Sequence, residues 1–242
     1  MTPQEIVTLI KKTYHFTDVF QEEDFEMLMD DLKLPLCSSD AGATKGVIIF
    51  RDEKFVIKIP FTSITESYGS CSYTDSQGNY QSYNHNEVTN YCRAFQDGII
   101  EYDEDPASNW DYCRLETAIY NAASLEGLEN YFAKEELIGY IDNHPIYMQQ
   151  KCKVFSEMSI EIDYTSKEYK RRKKLSDKYC HKFNLHNFNA YWIADFIEIY
   201  GKYEFEKLAA FIKNYNIGDL RDANVGYYDG APILFDYSGY RD

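Results

Sequence analysis

Near the C-terminal end of the 242-residue chain, Asp219 is followed five positions later by Asn224 and twelve after that by Asp236. A carboxylate, a carboxamide and a second carboxylate in this order can act together on a phosphate ester. The first orients a hydroxyl for attack on phosphorus, and the other two hold the Mg²⁺ that bridges nucleotide phosphates. Arg221 lies two residues after Asp219 and has the reach to meet the group in transfer. Asp and Asn are also common turn formers, so the spacing gains meaning only from its setting. An amphipathic segment leads into the loop, and Val225-Gly226-Tyr227-Tyr228 reads as a strand. Asp229-Gly230 then reads as a tight hairpin turn, and Ile233-Leu234-Phe235 as an apolar strand ending in Asp236.

Phosphate chemistry also needs cations and close-approaching backbone. Ser38 to Gly46 is a run of small residues that reads as a loop containing Gly42, Thr44 and Gly46, followed by the strand Val47-Ile48-Ile49-Phe50. Glycines let backbone N–H groups come close to phosphate oxygens. After an Arg51–Lys54 turn, Phe55 to Pro60 reads as a second strand presenting Lys58 among apolar β-formers. Such a lysine is costly to bury without a partner. Asp111 to Ser124 has a helical pattern, with Leu115, Ile119, Ala122 and Ala123 on one side and Glu116 near its start. Leu137 to Ile141 and Ile146 to Gln150 read as a hairpin around Asp142-Asn143-His144-Pro145.

Together these features resemble the protein-kinase-like superfamily, whose catalytic loop reads H-R-D-L-x-x-x-N and whose metal loop reads D-F-G. Ile217 and Gly218 stand where kinases have His and Arg, and Tyr237-Ser238 replace the Phe-Gly after the metal-binding Asp. The Gly218-Asp219-Leu220 form is similar to the aminoglycoside and choline phosphotransferase branch, which leaves the acceptor open. The resemblance implies an α+β, two-lobed fold. Its N-lobe, residues 1–150, would hold an antiparallel sheet, and a reduced, mainly helical C-lobe would span 151–242. ATP and Mg²⁺ are the implied cofactors. Asp219 is then the base with Arg221 beside it, and Asn224 and Asp236 are the metal ligands. Gly42, Thr44 and Gly46 belong to a nucleotide lid, and Lys58 meets the α/β phosphates, held by Glu116 with Glu126 as the alternative. Met148 is the implied gatekeeper, and the backbone of Gln149, Gln150 and Lys151 the hinge that meets adenine. The acceptor is a protein or small-molecule hydroxyl, and a partner protein is an implied activator. Alternatives within reach of the same residues are a nucleotide-binding pseudokinase, a small-molecule phosphotransferase and a nucleotidyl transferase.

The surrounding elements follow from pattern. Thr2 with Glu5 reads as a capping box, with Pro3 opening a helix to about Tyr14. A second helix is expected from about Asp18 to Leu32. Residues 62–109, rich in Ser, Tyr, Asn, Asp and Gln, read as an insertion. Lys167 to Lys178 is a basic run, read as a solvated helix face or, alternatively, a docking site for an acidic partner. Two more helices are expected near Asn189–Tyr200 and Tyr203–Tyr215. The formal charge of −15 argues against a nucleic-acid or anionic-membrane surface. Six cysteines without a C-x-x-C pair fit reduced thiols in a cytoplasmic protein. Cys180, His181 and His186 lack the second pair a zinc site needs. No apolar run approaches the roughly 20 residues that span a bilayer. The chain stops six residues past Asp236, so the helices that follow the metal loop in kinases are not expected in it.

Overall fold

A computed structural model describes residues 1–17, 19–34, 37–42, 44–62, 111–158, 162–185, 188–218 and 220–238, together with the backbone of 70–74 and 80–84. Asp219, and most of the 62–109 insertion, lie outside the described residues. The fold is α+β, and the chain divides into two compact units: Met1–Ala118 with Lys134–Lys151, and Ile119–Ala133 with Cys152–Asp242. The division expected from sequence at residue 150 thus differs by one segment, Ile119–Ala133, which packs in the second unit. Tyr131 meets Phe196 and Tyr200 there, and the backbone N–H of Ala133 donates to Leu234 O at 2.7 Å.

The first unit is built on a five-stranded antiparallel sheet. Its strands are β1 (Cys37–Ala41), β2 (Lys45–Phe50), β3 (Phe55–Pro60), β6 (Glu135–Ile141) and β7 (His144–Gln150), in the order β1-β2-β3-β7-β6. A separate hairpin pairs β4 (Ser70–Thr74) with β5 (Tyr80–Asn84). The loop expected at Ser38–Gly46 is a correction: Ser38, Ser39 and Asp40 form an exposed edge strand against Ile49, Ile48 and Val47. Polar residues suit such an edge, because its outer row of backbone groups needs no apolar cover. The β6–β7 turn places Asp142 and Asn143 at φ 49° and 67°, as a two-residue primed turn requires. His144 and Pro145, read from sequence as turn residues, are instead the first residues of β7.

Two helices, α1 (Pro3–Thr13) and α2 (Glu22–Leu32), cover one face of this sheet. The capping box at Thr2 and Glu5 is formed, and α2 starts later than the sequence pattern implied, with Gln21 as its cap. Ile6, Ile10, Phe25 and Leu28 interlock with Ile48, Ile57, Ile59 and Ile146 in a closed core. Each such buried side chain contributes about 1.5–3 kcal/mol. Gly46 belongs to this contact, since a Cβ there would lie 2.5 Å from the Phe25 ring. That packing gives its missing side chain a reason other than the phosphate approach expected from sequence. Gly42 has open space around its Cβ position and no positive φ, so nothing local requires glycine there.

The helix α3 (Tyr112–Leu125) faces the opposite side of the sheet through its first two turns, with Asp111 accepting from Arg114 N as its cap. In the second unit lie α4 (Lys167–Phe183), α5 (Ala190–Tyr200) and α6 (Lys202–Asn214). They accompany a three-stranded antiparallel sheet of β8 (Lys153–Val154), β9 (Val225–Tyr228) and β10 (Ala231–Leu234). The β9–β10 turn is Asp229-Gly230, both at positive φ, as the pattern predicts. Trp192, Phe196, Phe205, Leu208 and Phe211 fill the second core.

Candidate functional site

On the face of the first sheet away from α1 and α2, cross-strand register lines up polar side chains. Val47 pairs with Lys58, Lys58 with Tyr147, Val56 with Gln149, and Gln149 with Glu135. Because side chains alternate along a strand, Lys45, two residues before Val47, shares this face. Glu116 reaches the same face from α3. Its Oε1 accepts from Lys45 Nζ at 2.5 Å, and its Oε2 from Lys58 Nζ at 2.6 Å and Gln149 Nε2 at 3.0 Å. Glu135 Oε2 accepts from Lys58 Nζ at 3.0 Å and Gln149 Nε2 at 2.6 Å. None of the five residues is more than 5% exposed.

The two carboxyls have opposite protonation tendencies. Burial works against the charge of Glu116, but Lys45 and Lys58 outweigh it and hold the acid well below the usual range. Burial drives Glu135 well above that range, and the neighbouring Glu116 charge adds to the effect. The shared lysines thus favour the charged form of Glu116, and burial beside that charge favours the neutral form of Glu135. The second oxygen of Glu135, Oε1, is buried without a hydrogen-bond partner among the described residues. Beside the cluster, burial raises the Asp111 carboxyl to about 6, even though Tyr147 OH donates to it.

Of the residues singled out from sequence, Lys58, Glu116 and Gln149 meet in this cluster, while the alternative Glu126 is exposed past the end of α3. Thr44 is half-buried, and its carbonyl accepts from Phe61 N at 2.8 Å. The Gln149–Lys151 segment, expected as a hinge, lies at the end of a strand. Strand β7 continues through Gln150, whose N–H donates to Lys134 O, while that of Lys151 donates to Lys54 O. Those two amides are bonded within the protein. Gln149 contributes its side-chain amide to the cluster instead. Met148 is half-buried against the apolar core.

Sequence reasoning missed Lys45 and Glu135. Lys45 sat in the run read as a loop, and Glu135 stands between Lys134 and Glu136, just before the hairpin read from Leu137. The alternation signal was present for Lys45, since the hairpin register that exposes Lys58 also places Lys45 on its face.

In the second unit, Asn224 and the residue before Asp236 are joined through the backbone, Phe235 N donating to Asn224 O at 3.1 Å. Asn224 is buried, and Asp236 adopts φ 52°, a left-handed turn that ends the β10 segment. A carboxylate and a carboxamide oxygen are hard ligands of the kind Mg²⁺ takes, so this pair fits that ion. Ile217 and Leu220 are buried and pin the loop from both sides of Gly218. Asp222 is held by Asn189 Nδ2 at 2.8 Å, the same asparagine that caps α5. Tyr237 is fully buried, donating to Ala133 O at 2.9 Å and meeting the Phe132 ring edge-on. Arg221 is exposed.

Three cations of the basic run of α4 have internal ion pairs. Arg171 pairs with Glu168 and Glu198, Arg172 with Glu168 and Asp195, and Lys173 with Asp177. No group of three or more His, Cys, Asp and Glu side chains suited to a metal occurs among the described residues, and no helix there is long and apolar enough to cross a membrane. No protein-family model matches the chain, and no curated protein matches it at a meaningful level of similarity.

Proposed function

We propose that the chain is an ATP- and Mg²⁺-dependent phosphotransferase of the protein-kinase-like type, moving the γ-phosphate to a hydroxyl acceptor. The observation that carries this reading is the buried pair of Lys58 on β3 and Glu116 on the helix that follows, Nζ to Oε2 at 2.6 Å. In phosphotransferases of this type a strand lysine is kept extended by a helix carboxylate so that it can neutralise nucleotide phosphates. The order of elements supports the same reading: a hairpin, a lysine strand, a helix with its carboxylate, then a second hairpin. In the second unit, a helix leads into a loop with Asn224, and a tight β-hairpin leads out to Asp236.

In this reading Asn224 and Asp236 hold the Mg²⁺, which would neutralise charge on the phosphates. Asp219 orients the acceptor hydroxyl and takes its proton, and Arg221 steadies the group in transfer. Catalysis then consists of positioning and charge compensation. A second reading, a nucleotide-binding module without turnover, is favoured by Ile217, a buried apolar residue where kinases have a polar anchor.

Thermal unfolding of the native chain with Mg²⁺·ATP tests the first half. At a hundredfold excess over Kd the nucleotide adds about 2.7 kcal/mol of stability, and Lys58→Met or Asp236→Ala is expected to remove most of that gain. An equal gain in native protein and both variants would dismiss the assignment. Transfer of γ-label to an acceptor or to the chain itself, lost in Asp219→Ala while nucleotide binding persists, separates the enzyme from the silent module.

A further inference from the structure

Asn224 closes a tight turn. Its N–H donates to Arg221 O at 2.8 Å, which makes Arg221–Asn224 a β-turn with Asp222 and Ala223 at its corners. The end of the turn is buried and tied to the next strand through Phe235 N and Asn224 O at 3.1 Å. The corners are exposed, so packing has little hold on them. Asp222 is held there by hydrogen bonds: its carbonyl accepts from Ser156 N at 3.3 Å, and its Oδ1 from Asn189 Nδ2 at 2.8 Å. Asn189 is itself fixed, being 9% exposed, with Oδ1 accepting from Tyr191 N at 2.8 Å and Trp192 N at 3.0 Å as the cap of α5. Trp192 in turn donates from Nε1 to Gly226 O at 3.1 Å, on the strand that leaves the turn. Capping alone does not call for an amide, since Ser, Thr or Asp serves about as well. Among the good capping residues, Asn alone offers one atom that accepts from the helix and a separate one that donates to a carboxylate.

We propose that Asn189 is a positioning residue for the metal site: by holding Asp222 at the corner of the turn, it sets where Asn224 stands relative to Asp236. This rests on the phosphotransferase reading above, in which Asn224 and Asp236 hold the Mg²⁺, and deepens it. Asp222 lies two residues before Asn224 within one turn, so a displacement of the corner passes along two peptide units to the carboxamide. The hydrogen bond between Phe235 and Asn224 carries it on to the residue before Asp236. An amide N–H donating to a carboxylate is charge-assisted and stronger than a neutral pair, which suits a tether that works at the surface. Groups that orient metal ligands without touching the metal change its affinity roughly 10- to 100-fold when altered.

The test separates Mg²⁺ dependence from folding and from nucleotide affinity. ATP binding is titrated at rising Mg²⁺, and in EDTA, for the native chain, Asn189→Asp, Asp222→Ala, and Asn189→Asp combined with Asp222→Asn. Each variant is first checked for a cooperative melt. Asn189→Asp keeps the capping oxygen and sets two carboxylates against each other. It should raise the Mg²⁺ needed for half-maximal binding on the order of 10-fold, with binding in EDTA unchanged. The combined variant exchanges donor and acceptor, and should recover most of the native Mg²⁺ dependence, which a purely structural lesion would not do. Should Asn189→Asp melt without cooperativity, Asp222→Ala removes the same bond at an exposed residue and should show the same shift. If the native chain binds ATP in an Mg²⁺-dependent way and the variants keep that dependence while melting lower, Asn189 serves the helix alone. The inference then falls and the phosphotransferase reading survives. A combined variant no better than Asn189→Asp, or a loss shared equally by binding with and without Mg²⁺, would also overturn it. A native chain whose ATP binding is absent or indifferent to Mg²⁺ would overturn both.

Discussion

Side chains alternate along β3, and the two faces they supply have little in common. Ile57 and Ile59 enter a largely apolar core closed by α1 and α2. Lys58, on the same strand, enters a cluster of two lysines, two acids and an amide closed by α3. The first face lowers the free energy of the folded unit. The second removes four ionisable groups from water, and the attraction among such groups repays that only in part. A face that is expensive to fold, in a unit already held together by its other face, points to use rather than to stability.

That contrast is open to direct attack, and Glu116 gives the largest effect. Glu116→Ala takes away the carboxylate that two buried ammonium groups share, and about 3–5 kcal/mol of stability should vanish. Replacing the network together, as Lys45→Met, Lys58→Met and Glu116→Leu, should recover most of it. On the apolar face Phe25→Ala should lose a similar 3–5 kcal/mol, with no polar change that could offset it. Denaturant melts of these variants decide the matter: a triple variant no more stable than Glu116→Ala would mean that the polar face holds the unit together after all.

His144 sharpens the apolar side. It is stacked on Phe16 at 4.5 Å, donates from Nε2 to Pro60 O, and burial pushes its pKa down to about 4. A histidine with a depressed folded pKa contributes stability that is present above about 6.5 and is lost as pH falls toward 4. The loss should reach roughly 3 kcal/mol at the acid end. Melts between pH 4 and 7 should show this slope in the native chain, and His144→Phe should flatten it.

Asp111 tests the polar side with the opposite sign and a smaller effect. Its folded pKa is raised to about 6 by burial. The folded state therefore prefers the acid form, and stability declines as pH rises from about 4 to 6. Asp111→Asn keeps a capping side chain, removes that decline, and should gain on the order of 1–2 kcal/mol at pH 7. If the variant is less stable than the native chain at pH 7, the ionised carboxylate is needed where it stands.

Much of the chain was legible before any coordinates. Capping at Thr2 and the hairpin turn at Asp229-Gly230 rest on local chemistry that a sequence displays directly, while the pairing of Lys58 with Glu116 came from the family resemblance. What stayed hidden depends on register and burial. Ser38-Ser39-Asp40 has no apolar alternation because it borders the sheet, and Glu135 sits among charged neighbours that stay outside while it goes in. The aromatic and apolar residues between Ile119 and Ala133 gave no sign of which core they join, since either unit offers a surface that would take them.

One small vacancy in the sequence has a mechanical meaning. Phe25 lies where a side chain on residue 46 would otherwise stand, so the helix rests directly on the strand's backbone. Lys45 is the next residue along that backbone and points the other way. Inserting even a methyl group at 46 would wedge helix from strand, and a strand yields as a ribbon, carrying its neighbour with it. The ammonium on the far side would drift from its carboxylate although nothing near it had been altered. The fit of an aromatic ring on one side of the sheet thereby calibrates the placement of a charge on the other.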